Sequence, residues 1–288
     1  MKVIEDLGYT KNTLAGNLSR NKNSNFIAVL VPDMTNYYYL EIFDCLTKKL
    51  EKFGYIVSVY RIDRNNLFST FDTMIENRVS VIINLGFYPI TEEYLKKLHS
   101  VNIRIIHPGI GEDPVPVRIN YFPAMEEAFG CLVGQGRKRI YFLCGMEEKF
   151  REDGRIQAFY TLLERYREQG VDGKVVWGDY PTENAMETGK TFAKGLTSDE
   201  VPDAVFFLND MMAFGAMSPL QSMGVKIGTD VALIGFDNTK MGQFLYPSLS
   251  TVDSYTENEI QRYTDYILEK DVDINNMIIS RFIKRRSL

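Results

Sequence analysis

With two histidines, His99 and His107, and three cysteines, Cys45, Cys131 and Cys144, in 288 residues, the chain has few side chains for nucleophilic, redox or metal chemistry. No HExxH, GxSxG or CxxC occurs, which removes the spacings that bind zinc, raise a serine on a sharp turn or run dithiol exchange. The cysteines are odd in number, far apart and set among apolar residues, the pattern of buried unpaired thiols rather than of a disulfide or zinc site. His107 stands at the end of a β-rich run before Pro108 and reads as a turn residue. The acids are numerous but scattered, and no two are spaced as a general acid and base. GQGRKR (134–139) looks like a phosphate loop, yet it lacks a third glycine and precedes a strand where that loop must precede a helix, so it reads as a helix cap. No cofactor or metal is expected. An enzyme is therefore the weaker class, and polar and aromatic residues at strand ends point to a binding site.

The elements that would position such a site are legible as β-rich runs alternating with stretches of helical length, the sequence form of a parallel sheet with crossover helices. FIAVLVP (26–32), YIVSVY (55–60), VSVIINLG (79–86) and IRIIH (103–107) form a first set, with helices expected near 37–53, 67–77 and 91–100. A helix near 121–135 leads to the second set: RIYFLCG (139–145), KVVWG (174–178), AVFFLN (204–209) and VALIGFD (231–237), with helices near 152–169, 184–197 and 210–223. The runs are continuously apolar, as in parallel strands covered on both faces. Residues 246–270 add a short strand and a helix, and IISRFIKR (278–285) adds a final strand. The fold class expected is α/β, two doubly wound parallel-sheet lobes with a ligand cleft beyond the carboxyl ends of their strands.

Composition fits this reading. With 45% hydrophobic and 25% charged residues the chain is an ordinary globular protein, and its net charge of −5 argues against a nucleic-acid coat while leaving a local basic segment possible. Residues 1–6 hold two acids and no apolar run, and no stretch approaches the ~18 apolar residues of a membrane span. A cytoplasmic location without membrane contact is the expectation.

Four segments carry a family resemblance. PDMTNYYYLEI (32–42), GRIQAFYTLL (154–163), FFLNDMMAFGAMSPLQSMGVKIGTDVALIGFDN (206–238) and YPSLSTV (246–252) resemble, in order, the signature segments of the LacI/GalR family of bacterial transcription regulators. Tyr37 replaces the usual proline of the first segment, and Tyr38 and Tyr39 its two phenylalanines. Residues 3–33 resemble the junction between that family's DNA-binding headpiece and its effector core. TKNTLAGNL (10–18) is similar to the hinge helix, with Asn12, Ala15 and Leu18 as DNA-facing positions and Leu18 as the wedge entering the minor groove. Gly16 replaces a long polar or basic residue there, and glycine in a helix costs ~1 kcal/mol against alanine. The first two headpiece helices, including the recognition helix, have no counterpart in the sequence.

The resemblance implies a periplasmic-binding-protein-like core divided as 1–24 (headpiece remnant and hinge), 25–136 plus 253–272 (N-terminal lobe) and 137–252 plus 273–288 (C-terminal lobe). It implies a small-molecule effector, a neutral sugar or sugar derivative with a galactoside as the specific guess. Arg155 would fork onto ligand hydroxyls, Asp237 would accept from them, and Asn209 would supply an amide. Asn120 stands where many members carry an aspartate, which disfavours a cationic effector. Tyr180, Tyr38 and Tyr39 would offer aromatic faces to the ligand. Lys149 and Arg151 would favour an anion if turned inward and are solvated surface if turned outward. Family dimers pair both lobes, so a homodimer is implied, in which lobe movement alters the hinge spacing and hence the affinity for operator DNA. A solute-binding protein of a sugar transporter is the alternative on the same fold.

Overall fold

The computed structural model describes residues 24–86, 88–106, 117–178, 184–254, 256–270 and 276–288. The chain divides into two compact units, Met1–Val31 with Thr47–Asp113 and Pro32–Leu46 with Pro114–Leu288.

The first unit is built on four parallel strands, β1 (Phe26–Val31), β2 (Ile56–Arg61), β3 (Val81–Asn84) and β4 (Arg104–Ile106), in the order β2-β1-β3-β4. Ile27 through Val31 and Val81 through Ile83 are fully shielded from solvent, as continuously apolar runs require. Helices α2 (Leu67–Glu76) and α3 (Glu92–Ser100) bury Leu67, Phe71 and Met74, and Leu95 and Leu98, and these join Ala28, Leu30, Ile82 and Ile105 in one core. The start of α3 is written in its sequence. The Thr91 side chain accepts from the Tyr94 N–H, Glu92 and Glu93 occupy the first turn, and Lys97 and His99 the last, each complementing the helix dipole.

Helix α1 (Tyr37–Leu50) follows β1, and its first part, with the loop before it, is counted with the second unit. That unit has a six-stranded sheet in the order β12-β10-β9-β8-β6-β7: β6 (Arg139–Leu143), β7 (Asp172–Val176), β8 (Ala204–Phe207), β9 (Ala232–Phe236), β10 (Ser250–Asp253) and β12 (Arg281–Ile283). All neighbours are parallel except β10 and β12. Its helices are α4 (Phe122–Gly134), α5 (Gly154–Tyr166), α6 (Ala185–Lys194), α7 (Asp210–Ser222) and α8 (Thr256–Ile267). In both units the first strand lies inside the second and third, the doubly wound order whose ligands bind outside the carboxyl ends of the strands where the winding reverses.

Two glycines let α6 and α7 meet backbone to backbone. A Cβ on Gly189 would overlap the Met212 carbonyl oxygen, and one on Gly215 that of Met186. At the end of α4, Gly136 adopts φ +78° and donates to the Val133 carbonyl at 2.9 Å, so GQG terminates a helix. Arg137 of the same run is a structural clasp. It donates to the carbonyls of Asp203 (2.7 Å) and Gly228 (2.9 Å), and through Nε to Gln135 (2.9 Å).

The structure departs from the sequence reading in three places. IISRFIKR is two strands: β11 (Ile278–Ile279) pairs with a two-residue strand β5 (Ile119–Asn120), and β12 joins the large sheet. Ser280 makes the break, since both its N–H (3.1 Å) and its hydroxyl (2.9 Å) donate to the Asn120 carbonyl. The long helices expected at 37–53 and 152–169 tighten into single 3-10 turns over Glu51–Phe53 and Arg167–Gln169, each closed by a left-handed glycine, Gly54 or Gly170. Finally, Cys144 is buried, but Cys45 and Cys131 are only half-buried; all three are unpaired.

Candidate functional site

The loops at the carboxyl ends of β6, β8, β9 and β10 converge on one polar cluster in the second unit, and Arg155 anchors it. Asp153 caps α5, its carboxylate accepting from the Arg155 N–H at 2.9 Å. The same carboxylate takes the Arg155 side chain, Nε at 2.9 Å and Nη2 at 2.7 Å, while Nη1 donates to the Leu208 carbonyl at 2.8 Å. The guanidinium carbon lies 5.6 Å from the Tyr121 ring centre and 5.8 Å from that of Phe236, within cation–π range. Burial alone would push the Asp153 carboxyl up, but the charge and hydrogen bonds of Arg155 outweigh it and hold the group below its ordinary value. A side chain with five N–H groups is thus bonded on each of its three nitrogens and keeps further donors on its terminal nitrogens.

Asp237 follows β9 at φ +103°, a left-handed position that aspartate tolerates. Its N–H donates to the Val252 carbonyl at 3.0 Å. Behind it lies Asp210, fully buried, which accepts from the Thr251 hydroxyl (2.6 Å) and from the Thr239 N–H (2.8 Å) and hydroxyl (3.0 Å). Gly235 makes room for this carboxylate, because a Cβ there would overlap Asp210 Oδ1. Burial raises the Asp210 carboxyl to about 7, against the pull of those hydrogen bonds. Asp237 is raised well above its ordinary value, first by burial and then by the charge of Asp210, with Arg155 opposing.

Tyr38 brings the first turns of α1 into the cluster. Its backbone N–H donates to Asn36 Oδ1 at 3.0 Å and its hydroxyl to Glu259 Oε2 at 2.7 Å. The Tyr39 ring lies 5.5 Å from it. Glu259 on α8 is 1% exposed, and its Oε1 has no hydrogen-bond partner among the described residues. Burial raises its carboxyl above the ordinary value, against the pull of hydroxyl groups from Ser254 and Tyr38. Burial likewise raises the hydroxyls of Tyr121 and Tyr263, and both interact electrostatically with Glu259.

Of the residues singled out from the sequence, Tyr38, Arg155 and Asp237 come together in this cluster, with Tyr39 beside Tyr38. Asn209 sits next to Asp210 as the cap of α7, its side chain accepting from the Met212 N–H at 2.9 Å. Asn120 is half-buried at the end of β5 and accepts from the Phe122 N–H at 3.1 Å. Arg151 is not part of the cluster: it is exposed, 5.1 Å over the Tyr160 ring and 3.7 Å from Glu148. Tyr180, His107 and the hinge positions Asn12, Ala15 and Leu18 lie outside the described residues, as does the side chain of Lys149.

Sequence reasoning missed Asp153, Asp210, Tyr121, Tyr263 and Glu259. For Glu259 a signal existed. The buried face of α8 is Glu259, Ile260, Tyr263, Thr264 and Ile267, so helical periodicity places a carboxylate in an apolar stripe. Cys144, at the end of β6, is no nucleophile, since burial pushes its thiol up to about 11. Among the described residues no group of three His, Cys, Asp or Glu side chains is placed to hold a metal ion, and no helix is long and apolar enough to cross a membrane.

A family model described as a periplasmic binding protein-like domain matches residues 129–270. The chain is 30% identical over 257 residues to the HTH-type transcriptional repressor CytR of Escherichia coli, covering 87% of this chain and 74% of that protein. It is 28% identical over 258 residues to catabolite control protein A of Priestia megaterium, covering 88% and 76%. A LacI-family transcriptional regulator from Enterococcus faecium, solved with bound ribose, superimposes with a TM-score of 0.73 at 21% identity, covering 91% of this chain and 98% of that one. By name, CytR is a repressor of transcription and the Enterococcus faecium protein a regulator of transcription. Signature segments, doubly wound units and 30% identity over 87% of the chain agree, and the chain belongs to the LacI/GalR family of bacterial transcription regulators.

Proposed function

We propose that the cluster around Arg155 and Asp237 is the effector site of a sugar-responsive regulator, acting as a repressor, and that the effector is a sugar or sugar derivative. One observation carries this reading. A buried guanidinium held rigid by Asp153 and a half-buried carboxylate held at a strand end lie together in one cluster. The arginine's remaining donors and the carboxylate's acceptors suit the hydroxyls of a small polyol, and the regulator with bound ribose provides the precedent. Tyr38, Tyr39, Asn120, Asn209 and Tyr180 are proposed as further contributors. Effector binding would change operator affinity by favouring one of two conformations, which requires unequal affinity for the two.

The chain is further proposed to work as a homodimer with two-fold symmetry. Phe244 and Tyr246 are 82% and 80% exposed, and Tyr37, Leu40, Met241 and Phe244 line a common surface groove. Such a patch is the kind of surface that a second copy covers. A thermal-shift screen against sugars and sugar phosphates, repeated with Asp237→Ala, tests the site: the stabilising sugar is expected to lose its effect in the variant, and a stabilisation that survives would refute the assignment. Sedimentation of Phe244→Asp tests the assembly, with a dimer expected for the parent and a monomer for the variant.

A further inference from the structure

Asp237 opens a turn whose backbone is costly. It stands at φ +103° and Asn238 after it at φ +52°, two left-handed residues in succession that are not glycine, and such a backbone persists only where its surroundings over-determine it. Sheet and α7 supply part of that support. The Asp237 N–H donates to the Val252 carbonyl (3.0 Å), the Asn238 N–H to the Thr251 hydroxyl (3.3 Å), and Thr239 donates to Asp210 through its N–H (2.8 Å) and its hydroxyl (3.0 Å). The rest comes from the segment after β12. Arg285 Nη2 donates to Asn238 Oδ1 at 2.6 Å while Nη1 donates to the Leu249 carbonyl at 2.7 Å, so one planar guanidinium ties the turn to the residue before β10.

Arg285 is itself fixed before it reaches the turn. Its N–H donates to the Ser250 hydroxyl at 2.9 Å. Two residues on, the fully buried Ser287 is stitched into the sheet: its hydroxyl donates to the Leu233 carbonyl of β9 (2.6 Å) and accepts from the Ser250 N–H of β10 (2.8 Å), and its own N–H donates to the Ser248 carbonyl (3.0 Å). All of these bonds act on the backbone of Asp237, on its two neighbours or on Arg285, and not on the half-buried Asp237 carboxylate.

We infer that Arg285 is a positioning residue of the effector site: acting through Asn238, it fixes the turn from which Asp237 presents its carboxylate, and so raises affinity for the effector. The assignment rests on the sugar-effector reading above and deepens it. A turn released from the arginine would have to be ordered at the moment of binding, which costs about threefold to tenfold in affinity. Asp210 supports the same turn through Thr239, but it is fully buried, so changing it would test the fold first. Arg285 and Asn238 are only half-buried, and their contact can be cut with less damage.

The test is calorimetric titration of the whole chain with ribose, galactose, glucose and lactose, in the parent, Arg285→Met, Asn238→Gly and the double variant, beside chemical denaturation of each. Asn238→Gly removes the acceptor of the clamp, while glycine suits φ +52° at no steric cost. Its denaturation midpoint should stay near that of the parent while affinity for the tightest-bound sugar falls by about threefold to tenfold. Arg285→Met should lower affinity by a similar factor, and the double variant by no more than either alone, since all three cut one contact. A residue that merely supports the fold would not lower affinity in a variant as stable as the parent. Affinity within about twofold of the parent in Asn238→Gly overturns the inference, and so does a double variant in which the two losses multiply. In either case the sugar reading stands if Asp237→Asn weakens binding. No binding of any of these sugars by the parent would overturn both.

Discussion

Arg155 and Glu259 are both buried charged side chains in one cluster, and they are treated in opposite ways. Arg155 is bonded on three nitrogens, to Asp153 and to the Leu208 carbonyl, and lies against two rings. Glu259 is met by neutral groups, the Tyr38 hydroxyl on Oε2 and the Ser254 hydroxyl. The difference separates two uses of buried charge. The arginine corner is a finished structural unit that holds a donor surface in place, so removing either partner exposes the other to the full burial penalty. The glutamate corner sets its carboxyl against neutral hydroxyls, so burial wins there and raises the group, where at Asp153 the arginine wins and lowers it.

Each corner responds to its own substitution. The largest expected effect is on stability at the arginine end: Arg155→Ala leaves the half-buried Asp153 without its counter-ion and should lower stability by up to about 3–5 kcal/mol in chemical denaturation. A loss near zero would mean that the pair is not a structural unit. The second effect concerns pH. Asp210 rises from 3.8 to about 7 on folding, so between about pH 4 and pH 7 the folded state binds more protons than the unfolded one, and stability falls as pH rises through that window. The slope from this group reaches about 1.4 kcal/mol per pH unit at most, and Asp237 and Glu259 act in the same direction. Asp153, whose carboxyl is lowered, opposes them only at the acid end. Denaturation at pH 5 and at pH 7 should therefore show the chain less stable at the higher value, and equal or greater stability at pH 7 would contradict the burial of this acid group. The smallest effect is Tyr38→Phe, which strips the phenolic donor from Glu259 Oε2 and should cost about 1–3 kcal/mol; no change would mean that Oε2 is satisfied from elsewhere.

Much of this architecture was legible in the sequence because parallel strands buried on both faces must be continuously apolar. The runs at 26–32, 139–145, 204–209 and 231–237 each contain a strand ending within two residues of the expected end. Strand β5 escaped because two residues have no period to read, and the break at Ser280 depends on a carbonyl 160 residues away. In the cluster, Arg155 and Asp237 were readable from their segments, whereas Asp153, the N-cap of α5, carries no signal beyond that of a cap. Its second job, clamping the arginine two residues on, is a matter of side-chain direction that spacing does not disclose. Glu259 was readable from the period of α8, where an acid interrupts the apolar face. Arg151 shows the converse: four residues before Arg155 it shares the same loop region, yet Tyr160 and Glu148 hold it on the surface.

The most direct test of the effector site is the affinity of the stabilising sugar for Asp237→Asn. The substitution keeps a residue type that tolerates the left-handed backbone at φ +103° and removes one of two facing acids, so the variant should fold at least as stably as the parent. Calorimetric titration is expected to show affinity reduced by about tenfold or more, corresponding to a lost charge-assisted hydrogen bond of about 1.5–3 kcal/mol. An unchanged dissociation constant in a folded variant would place the ligand elsewhere and contradict the account.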